Sequence, residues 1–121
     1  MRIGIPAETR PGETRVAATP ETVKKLAARH QILVQAGAGL SAAAPDSAYE
    51  TAGASIVDAA TAFGAEIVLK VQGPDAAELA LMRREAVLVG MLDPFDADKL
   101  AVLAASGLTA FALEAAPRGR E

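Results

Sequence analysis

The sequence predicts an α/β domain built on a mainly parallel sheet. Six short apolar runs recur along the 121 residues, and helix-end signals separate most of them. Several runs, IVLKV at 67–71 and AVLVGML at 86–92, are continuous rather than alternating, which is how strands buried on both faces read. The composition suits one packed domain: 51% of residues are apolar and 22% charged. A chain of this size buries roughly two-thirds of its unfolded surface. Aromatic residues are only 3%, so Val, Ile, Leu and close-packed Ala must supply the core.

The strands are read over residues 2–6, 31–36, 54–57, 66–72, 86–92 and 108–114. After the first, Thr19 can cap a helix that has Pro20 at its first position and Glu21 in its first turn. Val23, Leu26, Ala27 and His30 then fall on one face. Ser47 and Glu50 have the spacing of a capping box, and Gly53 can end that helix. Asp58 caps a short segment that Gly64 stops, and Asp75 with Glu78 opens another. Asp93-Pro94 opens the last, with Leu100, Leu103 and Ala104 turned inward and Gly107 at its end.

Several function classes fall away. The net charge is −3, without a basic run or an aromatic ladder, which argues against nucleic-acid binding. The absence of cysteine excludes disulfide scaffolds and Cys-ligated zinc. The start, MRIGIPAETR, lacks the apolar stretch of about 7–15 residues that marks a signal peptide. The longest uncharged run, 101–113, is shorter than the ~20 residues of a membrane helix and holds the stop Ser106-Gly107. A soluble, cytoplasmic chain without direct membrane insertion is expected. No residue is read as catalytic or metal-ligating.

The loop AETRPGETRVAAT at 7–19 spells Glu-Thr-Arg twice. In open α/β sheets, ligands bind outside the carboxyl ends of the strands, and this loop leaves the first of them. Arg10 and Arg15 are therefore candidate anion binders, with Glu8 and Glu13 available to hold them. A solvated loop with local ion pairs is the other reading. Lys70 interrupts an apolar strand near its carboxyl end, where a lysine is costly unless paired. It either joins the first loop in a carboxylate site or snorkels past the sheet edge. GAGLSA at 37–42 matches a dinucleotide fingerprint and follows a strand. Pro45 and Asp46 come too soon for a helix to open on its third position, so a tight turn is expected. His30, the sole histidine, sits at a helix end and carries no catalytic expectation.

MRIGIPAETRPGETRVAATPETVKKL, VQAGAG, Tyr49 with AGA at 52–54, VLKV at 68–71 and ALEAAPR at 112–118 resemble the alanine dehydrogenase and nicotinamide nucleotide transhydrogenase family, in order and nearly end to end. The resemblance implies a flavodoxin-like or Rossmann-like three-layer N-terminal unit, here residues 1–116. Residues 117–121 would start the link to a separate Rossmann domain that binds NAD(H), with the active cleft between the two. The resemblance also assigns Arg15 and Lys70 to holding or lining a substrate carboxylate site. Alanine dehydrogenases carry a catalytic histidine where this sequence has Asp93, and transhydrogenases lack it. Arg118 matches the first arginine of a nicotinamide-side loop in transhydrogenases, although Gly119-Arg120-Glu121 departs from that pattern. The transhydrogenase branch is thus the expected one. It implies hydride transfer from NADH to NADP, NADP(H) on a partner component, a homodimer, and a membrane component that makes this chain peripheral to the inner membrane. Two alternatives stand beside it: an alanine dehydrogenase N-terminal domain that works with NAD, and a non-catalytic α/β module that binds a small anion or a protein.

Overall fold

The computed structural model describes residues 1–9, 11–91 and 107–112. Arg10, the segment expected to form a helix after Asp93, and the tail with Arg118 lie outside the described residues. The elements run β1 Arg2–Ile5, α1 Pro20–Ala27, β2 Gln31–Gln35, a 3₁₀ turn Leu40–Ala42, α2 Asp46–Thr51 and β3 Ser55–Val57. They continue with α3 Ala59–Phe63, β4 Ile67–Gln72, α4 Ala76–Leu81, β5 Val87–Met91 and β6 Thr109–Ala112.

The described strands form one sheet in the order β3-β2-β1-β4-β5-β6, each pair parallel. This is the Rossmann order, not the flavodoxin-like one, and the chain reverses direction across the sheet between β1 and β4. Alternation along the strands sorts the layers. Ile3 and Ile5 of β1 and Ile32 and Val34 of β2 pack with Val23 of α1 and Tyr49 of α2. Val68 of β4 and Leu88 of β5 pack with Phe63 of α3, and Leu79 of α4 joins them. Helices α1 and α2 therefore cover one face, and α3 and α4 the other. Gly4 lies between Ile3 and Ile5 and faces α3; a Cβ there would collide with the Ala62 carbonyl oxygen. Tyr49 is fully buried, and its hydroxyl donates to the Ala18 carbonyl at 2.7 Å, tying α2 to the loop before α1.

Most helix starts follow from the residues singled out above. Thr19 accepts from the Thr22 amide, and Asp58 from the Thr61 amide. Asp75 and Glu78 make a complete, reciprocal capping box. Ser47 and Glu50 do not. Helix α2 starts two residues earlier than that box would set it, at Asp46, with Pro45 at its N-cap and no side-chain cap. The Asp46 carboxylate instead accepts the Gly37 N–H at 2.9 Å, which draws the loop closed and fixes where the helix begins.

Candidate functional site

The register of β1 on β4 runs Ile3↔Ile67 and Gly4↔Val68. Beyond it, at the carboxyl edge, the strands no longer pair with one another, and the backbone N–H groups of Val71 and Gln72 need acceptors. Glu8, three residues past the end of β1, provides them. Its Oε2 accepts the Val71 N–H at 2.9 Å, and its Oε1 accepts the Gln72 N–H at 3.0 Å. The same Oε1 lies 3.2 Å from Lys70 Nζ. Both side chains are enclosed, at 1% exposure for Lys70 and 2% for Glu8.

A bulge in β4 presents these groups. Leu69 pairs with Val89 and Gln72 with Met91, so Lys70 and Val71 together oppose Gly90. Gly90 is what lets the strands close here, since a Cβ on it would run into the Lys70 carbonyl oxygen. The Lys70 stem leaves β4 on the side of Val68, and the ammonium sits 5.9 Å from the Phe63 ring centroid, within cation–π range. Glu78 Oε2 approaches the same ammonium at 3.6 Å, while Glu78 Oε1 caps α4 by accepting the Asp75 N–H at 3.0 Å. The Ala7 carbonyl completes the shell at 3.5 Å. Thus one cation is surrounded by two carboxylates and a carbonyl from the loop after β1 and from α4.

Arg15 occupies the outer part of the rim. Its Nε donates to Glu13 Oε2 at 2.9 Å and its Nη2 to Glu13 Oε1 at 2.8 Å, a bidentate pair. Glu13 Oε1 also accepts from the Gln72 side-chain amide at 2.8 Å, which ties the loop to the end of β4. The Arg15 guanidinium, then the Gln72 amide, then the Arg15 backbone N–H hold the Glu13 carboxyl well below the usual carboxylate range. Glu13 in turn raises the Arg15 guanidinium above its ordinary value. The side chain of Arg15 is 61% exposed against 7% for Glu13. The cluster of Glu8, Glu13, Arg15, Lys70 and Glu78 thus carries three formal negative charges against two positive ones.

Arg15 and Lys70 therefore line one edge of the sheet, but they do not share a carboxylate. The sequence offers Glu8 as a partner for an arginine of its own loop. It steadies Lys70 instead, because the open side of β4 presents two N–H groups as well as the ammonium. Lys70 is enclosed and paired rather than snorkelling outward. Arg10, Asp93 and Arg118 lie outside the described residues. Sequence reasoning misses Glu78 and Gln72 as members of this cluster. Glu78 is legible as a cap, and only the fold shows that its second oxygen turns to Lys70.

The loop at 37–42 makes the expected tight turn. Gly37 takes φ +80°, where glycine is at ease, and the chain passes into the 3₁₀ turn before α2. Its features do not suit a pyrophosphate. The Gly37 N–H is taken by the Asp46 carboxylate, and Gly39 is packed so closely under the Ala44 carbonyl and the Tyr49 ring that no atom could be added on that side. The β1/β4 crevice, the place where this strand order binds dinucleotides, holds the Glu8 carboxylate. The donors at these two places, the Gly37 N–H and the Val71 and Gln72 N–H groups, are thus taken by the chain's own carboxylates. The described residues contain no group of three or more His, Cys, Asp or Glu placed to hold a metal ion. Among the described residues, no helix is long and apolar enough to cross a membrane.

This fold recurs in known proteins. The transhydrogenase from Sinorhizobium meliloti superposes with a TM-score of 0.94 at 41% identity, over 98% of this chain and 35% of that one. NAD(P) transhydrogenase subunit alpha of Cereibacter sphaeroides is 37% identical over 122 residues, 98% of this chain and 23% of that protein. Alanine dehydrogenase of Bacillus subtilis is 40% identical over 123 residues, 99% of this chain and 32% of that protein. The chain thus spans no more than about a third of the length of these relatives. The profile of the family described as alanine dehydrogenase/PNT, N-terminal domain, matches residues 4–121, and the chain belongs to that family.

Proposed function

We propose that this chain is the N-terminal portion of the NAD(H)-binding component of a proton-translocating NAD(P) transhydrogenase. The observation that carries the choice of branch is Asp93, which by the family resemblance stands where alanine dehydrogenases carry a catalytic histidine. A carboxyl group there is an anion at neutral pH and cannot serve as the same proton donor without a large upward shift. In this reading residues 1–116 are one wall of a cleft, and residues 117–121 lead to the domain that holds NAD(H). NADP(H) sits on a partner component, with a membrane component beyond it, and the subunit is a dimer peripheral to the inner membrane. The chain's own task is orientation: Lys70 from a rigid strand and Arg15 from a pinned loop build the rim of the cleft, and the family resemblance assigns Arg118 to the nicotinamide side. The hydride chemistry is the cofactor's, and the protein positions it.

A second reading, alanine dehydrogenase, is favoured by Arg15 and Lys70, the two cations that the family resemblance assigns to a substrate carboxylate. One assay separates the two. The subunit containing this chain is mixed with an NADP-binding partner component and tested for NADH-dependent reduction of an NADP analogue. In parallel it is given L-alanine and NAD without the partner. Reduction of the analogue with no L-alanine oxidation is the expected result. L-alanine oxidation would overturn it in favour of the second reading. Neither activity would favour a non-catalytic module.

A further inference from the structure

All described strands run parallel, so their first residues share one edge of the sheet, and the returning helices end there. This amino edge lies opposite the rim that holds Lys70, and its charge has the other sign. Arg2 starts β1, Lys24 and Lys25 lie in the last turn of α1, Arg29 follows that helix, and Arg83 and Arg84 follow α4. All six are exposed. Three carboxylates stand among them, Glu50, Glu66 and Glu85. Among the described residues every ion pair belongs to the carboxyl edge, where Glu13 matches Arg15, and Glu8 and Glu78 match Lys70. The six cations of the amino edge make none. The dipole of α1 accounts for Lys24 and Lys25, but α4 has no basic residue in its last turn. The two edges act separately, because β4 spans six residues, ~20 Å of strand. Screening at physiological salt acts over about 8 Å. The net charge of −3 therefore conceals a positive edge.

The same edge carries apolar points. Met1 is 62% exposed beside Arg2, and Leu81, the last residue of α4, is 40% exposed. Arg2 and Arg83 converge on one group: the Glu66 carboxyl is held below its ordinary value first by the Arg2 backbone N–H and also by the charges of Arg83 and Arg2. From β2, which Arg29 precedes, to β5, which Arg84 precedes, is three strand spacings, ~14 Å. A helix covers that span in about nine or ten residues. We propose that the amino edge docks an acidic, amphipathic polypeptide segment of a partner protein. The mixture of groups selects this class. A phosphate surface, membrane or duplex, carries negative charge throughout and meets Glu50, Glu66 and Glu85 as well as the cations. A polypeptide can set carboxylates on the cations, neutral side chains over the glutamates and apolar ones on Met1 and Leu81. Docking here leaves the carboxyl rim open, so the proposal does not depend on the enzymatic reading.

The test uses the full chain and a fluorescein-labelled helical peptide that mixes glutamate and leucine along one face, followed by fluorescence anisotropy. Saturable binding that weakens as salt rises is expected. Arg83→Glu with Arg84→Glu should weaken it at least about tenfold, because like charges then oppose each other across the contact. Arg84 lies over Gly107. If that variant does not fold, Lys24→Glu with Lys25→Glu, both exposed on α1, takes its place with the same expected loss. Glu21→Gln, in the first turn of α1 at the other edge, should bind as the wild type does. Vesicles of mixed phosphatidylcholine and phosphatidylglycerol, and a DNA duplex, are offered at the same ionic strength, and both should bind more weakly than the peptide. Tighter binding to the vesicles or the duplex overturns the proposal in favour of a phosphate surface. Absence of saturable peptide binding overturns it, and so does equal binding by the wild type and a folded charge-reversed variant.

Discussion

Lys70 and Arg15 look alike in the sequence, as two cations bound for one rim, and the structure sets them in opposite physical regimes. Lys70 grows from a strand, is 1% exposed, and is boxed by carboxylates from the loop after β1 and from α4. Arg15 grows from the loop, is 61% exposed, and has its carboxylate partner two residues away. Desolvation makes the first pair matter: an ammonium enclosed with its counter-ions cannot lose one partner cheaply. In the second pair the guanidinium stays in water, where ion pairs contribute little to folding. The lesson is that charge type and edge of the sheet give a residue's neighbourhood, while burial decides whether it holds the fold together or stays free to meet something else.

Substitutions can break this contrast. Lys70→Met leaves Glu8 and Glu78 enclosed without their cation and should cost about 3–5 kcal/mol of stability in denaturant titration. Adding Glu8→Gln to it should recover part of that loss, since one stranded charge is removed. A Lys70→Met protein as stable as the wild type would show that the cluster is not sealed from water. Gly90→Ala, next to the bulge, should cost about 1–3 kcal/mol, because the new methyl meets the Lys70 carbonyl and forces the strands apart. Its amide spectrum should shift at Lys70 and Val71 more than at Arg15.

Arg15→Ala should leave the neutral-pH melting temperature close to that of the wild type. Its effect belongs to acid. The folded-state value of Glu13 lies below its unfolded one, so the unfolded chain takes up protons first as pH falls. The stabilisation from this group is complete above the ordinary carboxylate range, about 4.3 for glutamate, and is lost as pH drops below it toward the folded value. Arg15 is the largest cause of the depression. Melts between neutral pH and acid should therefore show a shallower acid-side loss in Arg15→Ala than in the wild type. Parallel curves would mean that Gln72 and the backbone N–H of residue 15 hold the carboxylate without the guanidinium.

Much of the fold could be read locally. The continuous run at 67–71 is β4, and the capping signals at Thr19, Asp58 and Asp75 each open a helix. These are short-range effects, set by burial pattern and by side chains reaching their own backbone. The misreadings share a different cause. The capping box expected of Ser47 and Glu50 does not form, and the helix starts at Asp46, whose carboxylate is drawn nine residues back to Gly37. Glu8 leaves its own loop for groups more than sixty residues away. The bulge that aims Lys70 exists only because β5 brings a glycine opposite it. Such long-range choices depend on which strands become neighbours, and no spacing within a single segment encodes them. The glycine loop at 37–42 shows the reverse hazard, since it has a ligand motif's letters while its free N–H and its space are used up by Asp46, Ala44 and Tyr49.

In the function proposed for it, this domain forms a wall of the cleft and leaves the nucleotide to another domain. Calorimetric titration of the 121-residue chain with NADH tests it most directly. No measurable heat of binding is expected, because the β1/β4 crevice is filled by Glu8 and the Gly37 loop is closed by Asp46. Saturable binding in the micromolar range would contradict the claim and place a nucleotide site within these residues.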